Sequence, residues 1–332
     1  MMAWAVVAEG DRVAGCGASV RPGPRRVAAG ARLARGVIVL LAVCVACLIV
    51  ETEPAAAAAA GTEAREVVRI ATTRSSLGRI NRNDAVAAIR GWGEAILRER
   101  GLSARLEVEV FDALEGIRAA MRQQRVDALS LTTQEYLDIG FEADRVFLQS
   151  DGAQVHSRYV LLVRRDGGVA TPAALAGRPV SIAEGLRMSL AQTWLNALSA
   201  GQAPAVQTEE PGKAVLRVFF RQSAGAVVLQ EAFDLVGEMN PQIRKELTVL
   251  RTSPPLVPTL FVLRPDWQGP NRAALEEMLE LLHLSVAGQQ VMTLFQGARL
   301  EAHPPSVMED TISFLRQYRE GWRRSRAKAA NE

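Results

Sequence analysis

Apolar positions fall into short runs with a period near two and longer runs with a period near 3.6. The two kinds alternate along most of the chain, which predicts strands and helices in turn. Residues 66–73 (EVVRIATT) read as a first strand, followed by a helix over 83–98 with Val86, Ile89, Ile96 and Leu97 on one side. A second strand (106–111) precedes a helix with Ile117 and Met121 inward, which Asp112 and Glu115 are expected to open as a capping box. Residues 126–131 form the next strand. The βαβαβ order is the signature of a parallel sheet. Beyond it, the pattern predicts strands over 159–164, 178–182, 225–229, 247–250 and 259–263. Helices are predicted over 171–175, around Leu190, Trp194, Leu195 and Leu198, and over 213–221, 271–285 and 306–324, the last burying Ile312, Leu315, Tyr318 and Trp322.

One stretch is said twice. Residues 121–140 (MRQQRVDALSLTTQEYLDIG) run from a helix end through an apolar strand to polar Thr132 and Thr133, with a new helix from Gln134. Residues 220–237 (FRQSAGAVVLQEAFDLVG) repeat the plan, with Gln230 and Glu231 at the turn. Repetition of a strand–turn–helix device suggests two similar α/β lobes with a cleft between them. Each device would point polar groups off the carboxyl end of a strand, where open α/β sheets bind ligands. The competing reading is a coincidence of ordinary α/β packing. A first crossing between lobes is expected near Asp166-Gly167-Gly168, and a second at the stiff Pro254, Pro255 and Pro258. The resulting division is 65–160 plus 262–320 for lobe I, 161–261 for lobe II, and a basic tail at 321–332.

At 332 residues, with 48% apolar and 23% charged residues, the chain is long enough for two globular domains. The net charge is +3, with arginines crowded at both ends and mixed charge between. No basic stripe interleaved with aromatics is present, so a nucleic-acid path is not expected. The uncharged run at 36–50 follows several arginines and is shorter than the about twenty residues of a spanning helix. With the alanine-rich 55–60 behind it, it reads as a secretory signal in a leader covering 1–60, or alternatively as an uncleaved anchor. Cys16, Cys44 and Cys47 all lie in that leader, and neither Cys44 nor Cys47 sits in a clean lipidation motif. Cleavage would leave a mature chain without disulfides, thiolate metal sites or a cysteine nucleophile.

Catalytic signals are missing. His156, His283 and His303 are far apart and lack metal-ligand spacing. No G-x-S-x-G, H-E-x-x-H or Walker motif occurs. What remains is polar residues where strands end and helices begin, whose unpaired N–H groups favour an anion. The candidates are Arg74, Ser75 and Ser76; Thr132, Thr133 and Tyr136; Arg187 and Ser189; and Gln230 and Glu231. Ser76, Thr132, Thr133 and Ser189 have helix capping as their competing role, Tyr136 the core, and Arg187 the surface.

The segments 126–137, 159–185, 213–233 and 239–266 together resemble the periplasmic solute-binding proteins of ABC importers. The likeness is to the phosphate/phosphonate branch, which overlaps the sulfonate-binding and transferrin-like folds. It implies a two-lobe type II periplasmic-binding fold, each lobe a mainly parallel sheet flanked by helices. It implies binding without catalysis, no cofactor, no metal and no nucleic acid. It further implies a periplasmic monomer that closes on a small anionic ligand and delivers it to an ABC permease in the inner membrane. The same fold also serves as a ligand-sensing module coupled to a membrane receptor. The phosphonate binders carry a Ser-Thr-Ser-like cluster where this chain has Glu184-Gly185-Leu186-Arg187-Met188-Ser189. Arg187 is the expected replacement, since a guanidinium grips an oxyanion bidentately.

Overall fold

The computed structural model describes residues 67–99, 101, 104–151 and 154–330. The expected leader, apolar run and alanine-rich stretch lie outside the described residues. The chain begins with β1 (Val67–Thr73), α1 (Arg74–Leu77), α2 (Arg82–Glu99), β2 (Arg105–Phe111), α3 (Leu114–Arg122), β3 (Ala128–Thr132), α4 (Thr133–Ile139) and β4 (Val146–Ser150). It then crosses to β5 (Tyr159–Arg164), β6 (Val180–Ala183), α5 (Ala191–Ser199), β7 (Ala205–Thr208), α6 (Pro211–Phe219), β8 (Gly225–Leu229), α7 (Gln230–Met239), α8 (Pro241–Glu246) and β9 (Leu247–Thr252). The return brings β10 (Thr259–Leu263), α9 (Pro270–Glu280), α10 (Val286–Leu294), β11 (Arg299–His303) and α11 (Glu309–Ala330).

Two sheets result. The six-stranded sheet has the order β11-β4-β10-β3-β1-β2, and the five-stranded sheet β7-β6-β8-β5-β9. Each is mixed. β2-β1-β3 and β7-β6-β8 pair in parallel, because helices carry the chain back between strands. β10 and β5 then pair antiparallel to β3 and β8. β5 is apolar along its length, with residues 159–163 all buried, as a strand covered on both faces must be.

The return crossing falls at the expected prolines, between β9 and β10, while the outbound crossing comes before β5 and not after it. All of β5 sits in the five-stranded sheet and all of β10 in the six-stranded one, so neither the glycine turn after β5 nor a boundary inside 259–263 divides the lobes. The two crossing segments meet in an antiparallel bridge. Ser157 N donates to Leu256 O at 2.7 Å, and Leu256 N to Ser157 O at 2.9 Å. α11 lies across both lobes, with Met308 just ahead of it in a lobe I core and Leu315 in the lobe II core.

Local details also differ from the pattern. Ala113, not Asp112, is the N-cap of α3, and it makes no side-chain cap bond. The helix expected over 271–285 stops at Glu280; Ser285 instead caps α10, accepting from Gly288 N at 2.9 Å. α11 runs on to Ala330, so the basic C-terminal residues continue a helix. Trp322 is 43% exposed and stacks on Tyr318.

Candidate functional site

The carboxyl ends of β1 and β3 lie side by side and each feeds a helix. Thr73 caps α1: its Oγ1 accepts from Ser76 N at 3.0 Å, closing a capping box. Thr132 does the same for α4, with Glu135 at the third helical position folding back. The Glu135 carboxylate is buried and gathers the donors of both turns. It accepts from Thr73 Oγ1 at 2.9 Å, Ser75 Oγ at 2.6 Å, and Thr132 N and Oγ1, both at 2.9 Å. A negative group among helix-start donors is electrostatically favoured. Here the chain supplies that negative group itself. The neighbouring donors are also engaged. Ser76 Oγ lies 2.7 Å from Thr72 Oγ1 and 3.0 Å from Ser130 O, while Thr133 N donates to Pro258 O at 3.0 Å.

In lobe II, Arg187 stands on the short 3-10 turn Leu186–Met188 after β6. Its guanidinium, 21% exposed, pairs with Glu231 at 2.8 Å and Asp151 at 3.5 Å, and its Nε donates to Ser157 Oγ at 3.2 Å. These partners come from the first turn of α7, the end of β4 and the outbound crossing, so one side chain ties both lobes to the hinge. Tyr159, fully buried, donates its hydroxyl to Arg187 O at 2.7 Å. Burial pushes the Tyr159 phenol up, so it stays a donor. Ser189 Oγ donates to Pro258 O at 3.0 Å, again on the hinge.

The lobes are also clasped by a second set of ion pairs. Arg79, after α1, reaches Glu184 at 3.3 Å and Glu209 at 3.7 Å, both on lobe II. The close approach rests on Gly78 (φ 56°) and Gly185 (φ 152°), in backbone regions that side chains disfavour. Behind Ser76 and Ser130, a cavity of about 100 Å³ opens between the sheet of lobe I and helices α2, α9 and α10. Trp92, Phe147, Phe261 and Met292 line it, and Leu186 of lobe II closes its mouth.

Residues 81–305 match the family model described as "ABC transporter, phosphonate, periplasmic substrate-binding protein". The chain belongs to this family. No curated protein matches it in sequence. Among solved structures, XAC2383 from Xanthomonas citri bound to chloride aligns with a TM-score of 0.52 at 16% identity, over 79% of this chain and 99% of that one. The same protein bound to ATP gives 0.52 at 14% identity, over 79% and 98%. PhnD1 from Prochlorococcus marinus in complex with methylphosphonate gives 0.49 at 10%, over 76% and 98%. The fold is the type II periplasmic-binding fold. The family is a transport component that binds its substrate and does not transform it. Among the described residues no helix is long and apolar enough to cross a membrane.

Within this binding protein the ten expected site residues divide into four groups. Ser76, Thr132, Thr133 and Ser189 cap helices or bond the hinge. Tyr136 is a core residue, packed edge-on to Phe141, with its hydroxyl accepting from Ala143 N at 3.2 Å. Arg187 and Glu231 are paired to each other, and Ser75 is turned onto Glu135. Arg74 and the Gln230 side chain remain exposed and make no bond or ion pair among the described residues. The groups that organise the site without having been expected are Glu135, Thr73, Ser157, Arg79 and Trp92. A signal for the first existed, because Thr132-x-x-Glu135 is itself a capping-box pattern.

Proposed function

We propose that the protein captures a small anion-bearing solute by closing its lobes about the paired crossings, and that the closed form, as a monomer, hands the solute to an ABC permease. The observation that carries this reading is the Arg79 clasp between the lobes, separate from the paired crossings. A hinge of two short segments together with ion pairs between the lobes is the arrangement a closing cleft needs. Arg74, exposed beside Ser75 at the carboxyl edge of β1, supplies an uncommitted guanidinium for the anion, and Gln230 a neutral donor from lobe II. Export by the N-terminal leader accompanies the proposal.

The test is a thermal-shift screen of phosphate, phosphite, alkylphosphonates, sulfonates, sulfate and short carboxylates. A ligand at a hundred times its Kd adds about 2.7 kcal/mol of stability. One class is expected to raise the melting temperature, and Arg74→Ala to remove that rise. A flat screen would overturn anion capture. Failure of the liganded protein to stimulate its reconstituted permease would overturn delivery.

A further inference from the structure

The apolar cavity of lobe I has no part in holding an anion, and its composition asks for another ligand group. Its walls are almost wholly hydrocarbon, from Ile70, Trp92, Phe147, Phe261 and Met292, with hydroxyls of Ser76, Ser130 and Thr259 at the rim. Protein interiors pack as densely as organic crystals, and voids larger than a water molecule are few. The second observation is independent of the space. Trp92 is 4% exposed, and its indole Nε1–H has no hydrogen-bond partner among the described residues. An indole nitrogen can only donate, and when buried it usually finds an acceptor. A wall residue with an unmet donor points to an oxygen acceptor arriving with a ligand.

We propose that this cavity is a tail subsite. On the reading that the protein binds an anion-bearing solute in its cleft, the solute also carries a short apolar chain. That chain enters beneath Leu186, and an ether or carbonyl oxygen on it accepts from Trp92. The rim residue Ser76 and Arg74 both belong to the short helix α1, so tail and anion group approach the same turn. The volume sets the length: about 100 Å³ is less than the ~150 Å³ of an apolar cavity that holds benzene, so a chain of about four carbons fills it. Leu186 belongs to lobe II and sits against Gly78, where a side-chain carbon on that glycine would lie 3.7 Å from Leu186 Cδ2. Opening the lobes therefore withdraws the cover, and closing them seals the tail in. Tail binding and closure are one event.

The test is a homologous series of alkylphosphonates and alkylsulfonates, from methyl to octyl, measured by calorimetry on the purified protein. Affinity is expected to rise about fourfold per added methylene, the worth of a buried CH₂, up to about butyl and then to stop rising. Leu186→Ala should flatten that rise. Trp92→Phe, which keeps an aromatic wall but removes the donor and some wall volume, should abolish the preference for a tail carrying an ether oxygen while alkyl tails still bind. A separate probe removes the dependence on the anion. 1-Butanol should perturb the methyl resonance of Met292 in the protein free of any anion. If short and long anions bind equally, the tail subsite is overturned while anion capture stands. If no anion binds but 1-butanol perturbs Met292, the cavity stands and the anion reading falls. If Met292 is unmoved by 1-butanol and by every tail, the subsite is overturned.

Discussion

The two lobes are built on the same plan and use it differently. Read from one edge, the strand orders β2-β1-β3-β10-β4 and β7-β6-β8-β5-β9 correspond strand for strand, so β3 leading into α4 and β8 leading into α7 occupy the same place in their sheets. Both helices open with a Gln-Glu pair. In lobe I the N-cap is Thr132, which puts Glu135 at the third helical position. In lobe II the N-cap is Leu229, which puts Glu231 at the second. One position on a helix is a rotation of about 100°. The lobe I carboxylate therefore folds back onto its own turn and is buried among donors, whereas the lobe II carboxylate swings outward to Arg187. A one-residue offset separates a buried carboxylate that locks two turns of lobe I from a half-exposed one that pairs with Arg187.

The sharpest way to break this comparison is to remove the two glutamates in turn. Glu135→Ala leaves several buried donors without an acceptor, each worth about 1–3 kcal/mol, so a loss of at least ~3 kcal/mol is expected in urea unfolding. Glu231→Ala, at an exposed position, should lose no more than about 1 kcal/mol. Equal losses would show that the offset carries no energetic consequence.

Arg187→Ala comes next. It removes a charged donor shared by Asp151, Ser157 and Glu231, and about 1.5–3 kcal/mol of stability is expected to go with it. Solute affinity should fall only modestly, because its guanidinium is committed to the hinge. Abolition of binding with unchanged stability would restore Arg187 as an anion ligand. The clasp is weaker still. Arg79→Ala removes half-exposed pairs worth about 0.2–1 kcal/mol, a loss of roughly 1.4-fold to fivefold in affinity by calorimetry that shrinks at high salt.

The smallest effect separates the lobes by pH. Hydrogen bonds from Arg164 and Arg221 hold the exposed Asp166 of lobe II down to about 2. Its contribution is present above the ordinary aspartate value near 3.9 and is lost as pH falls towards that folded value. Asp127 of lobe I goes the other way. Burial pushes it up against the opposing bond from Arg69 N, so its contribution is present at low pH and lost as pH rises through the folded value. Melts of Asp166→Asn should trail the wild type at pH 6 and meet it near pH 2. Asp127→Asn should gain on the wild type as pH rises.

Much of this could be read along the chain. The strands from β1 to β3, the helices between them, β5, β8 and the proline-marked return are written in the periodicity, because a buried face must repeat every 2 or 3.6 residues. The short strands β4, β7 and β11, the last two at sheet edges, were not legible, since four or five residues carry too little pattern. α10 was hidden because its residues read on from a neighbouring helix. The expected site residues do lie at or near strand-to-helix turns, but which way each side chain faces depends on the cap position, which the pattern does not resolve.

The amino-acid sequence by itself determined the α/β alternation, the repeated device, the family and the turns where polar groups gather. The alternation and the turns follow from local periodicity, and the family from resemblance. Only the tertiary structure decided which polar groups are spent within the protein and which stay exposed. Glu135 meets Thr73 and Ser75 from sixty or so positions earlier, and Arg187 meets Asp151 and Glu231 from either side. Such pairings depend on which strand ends become neighbours and on the rotation of each helix about its axis. Both are set by packing across the whole chain.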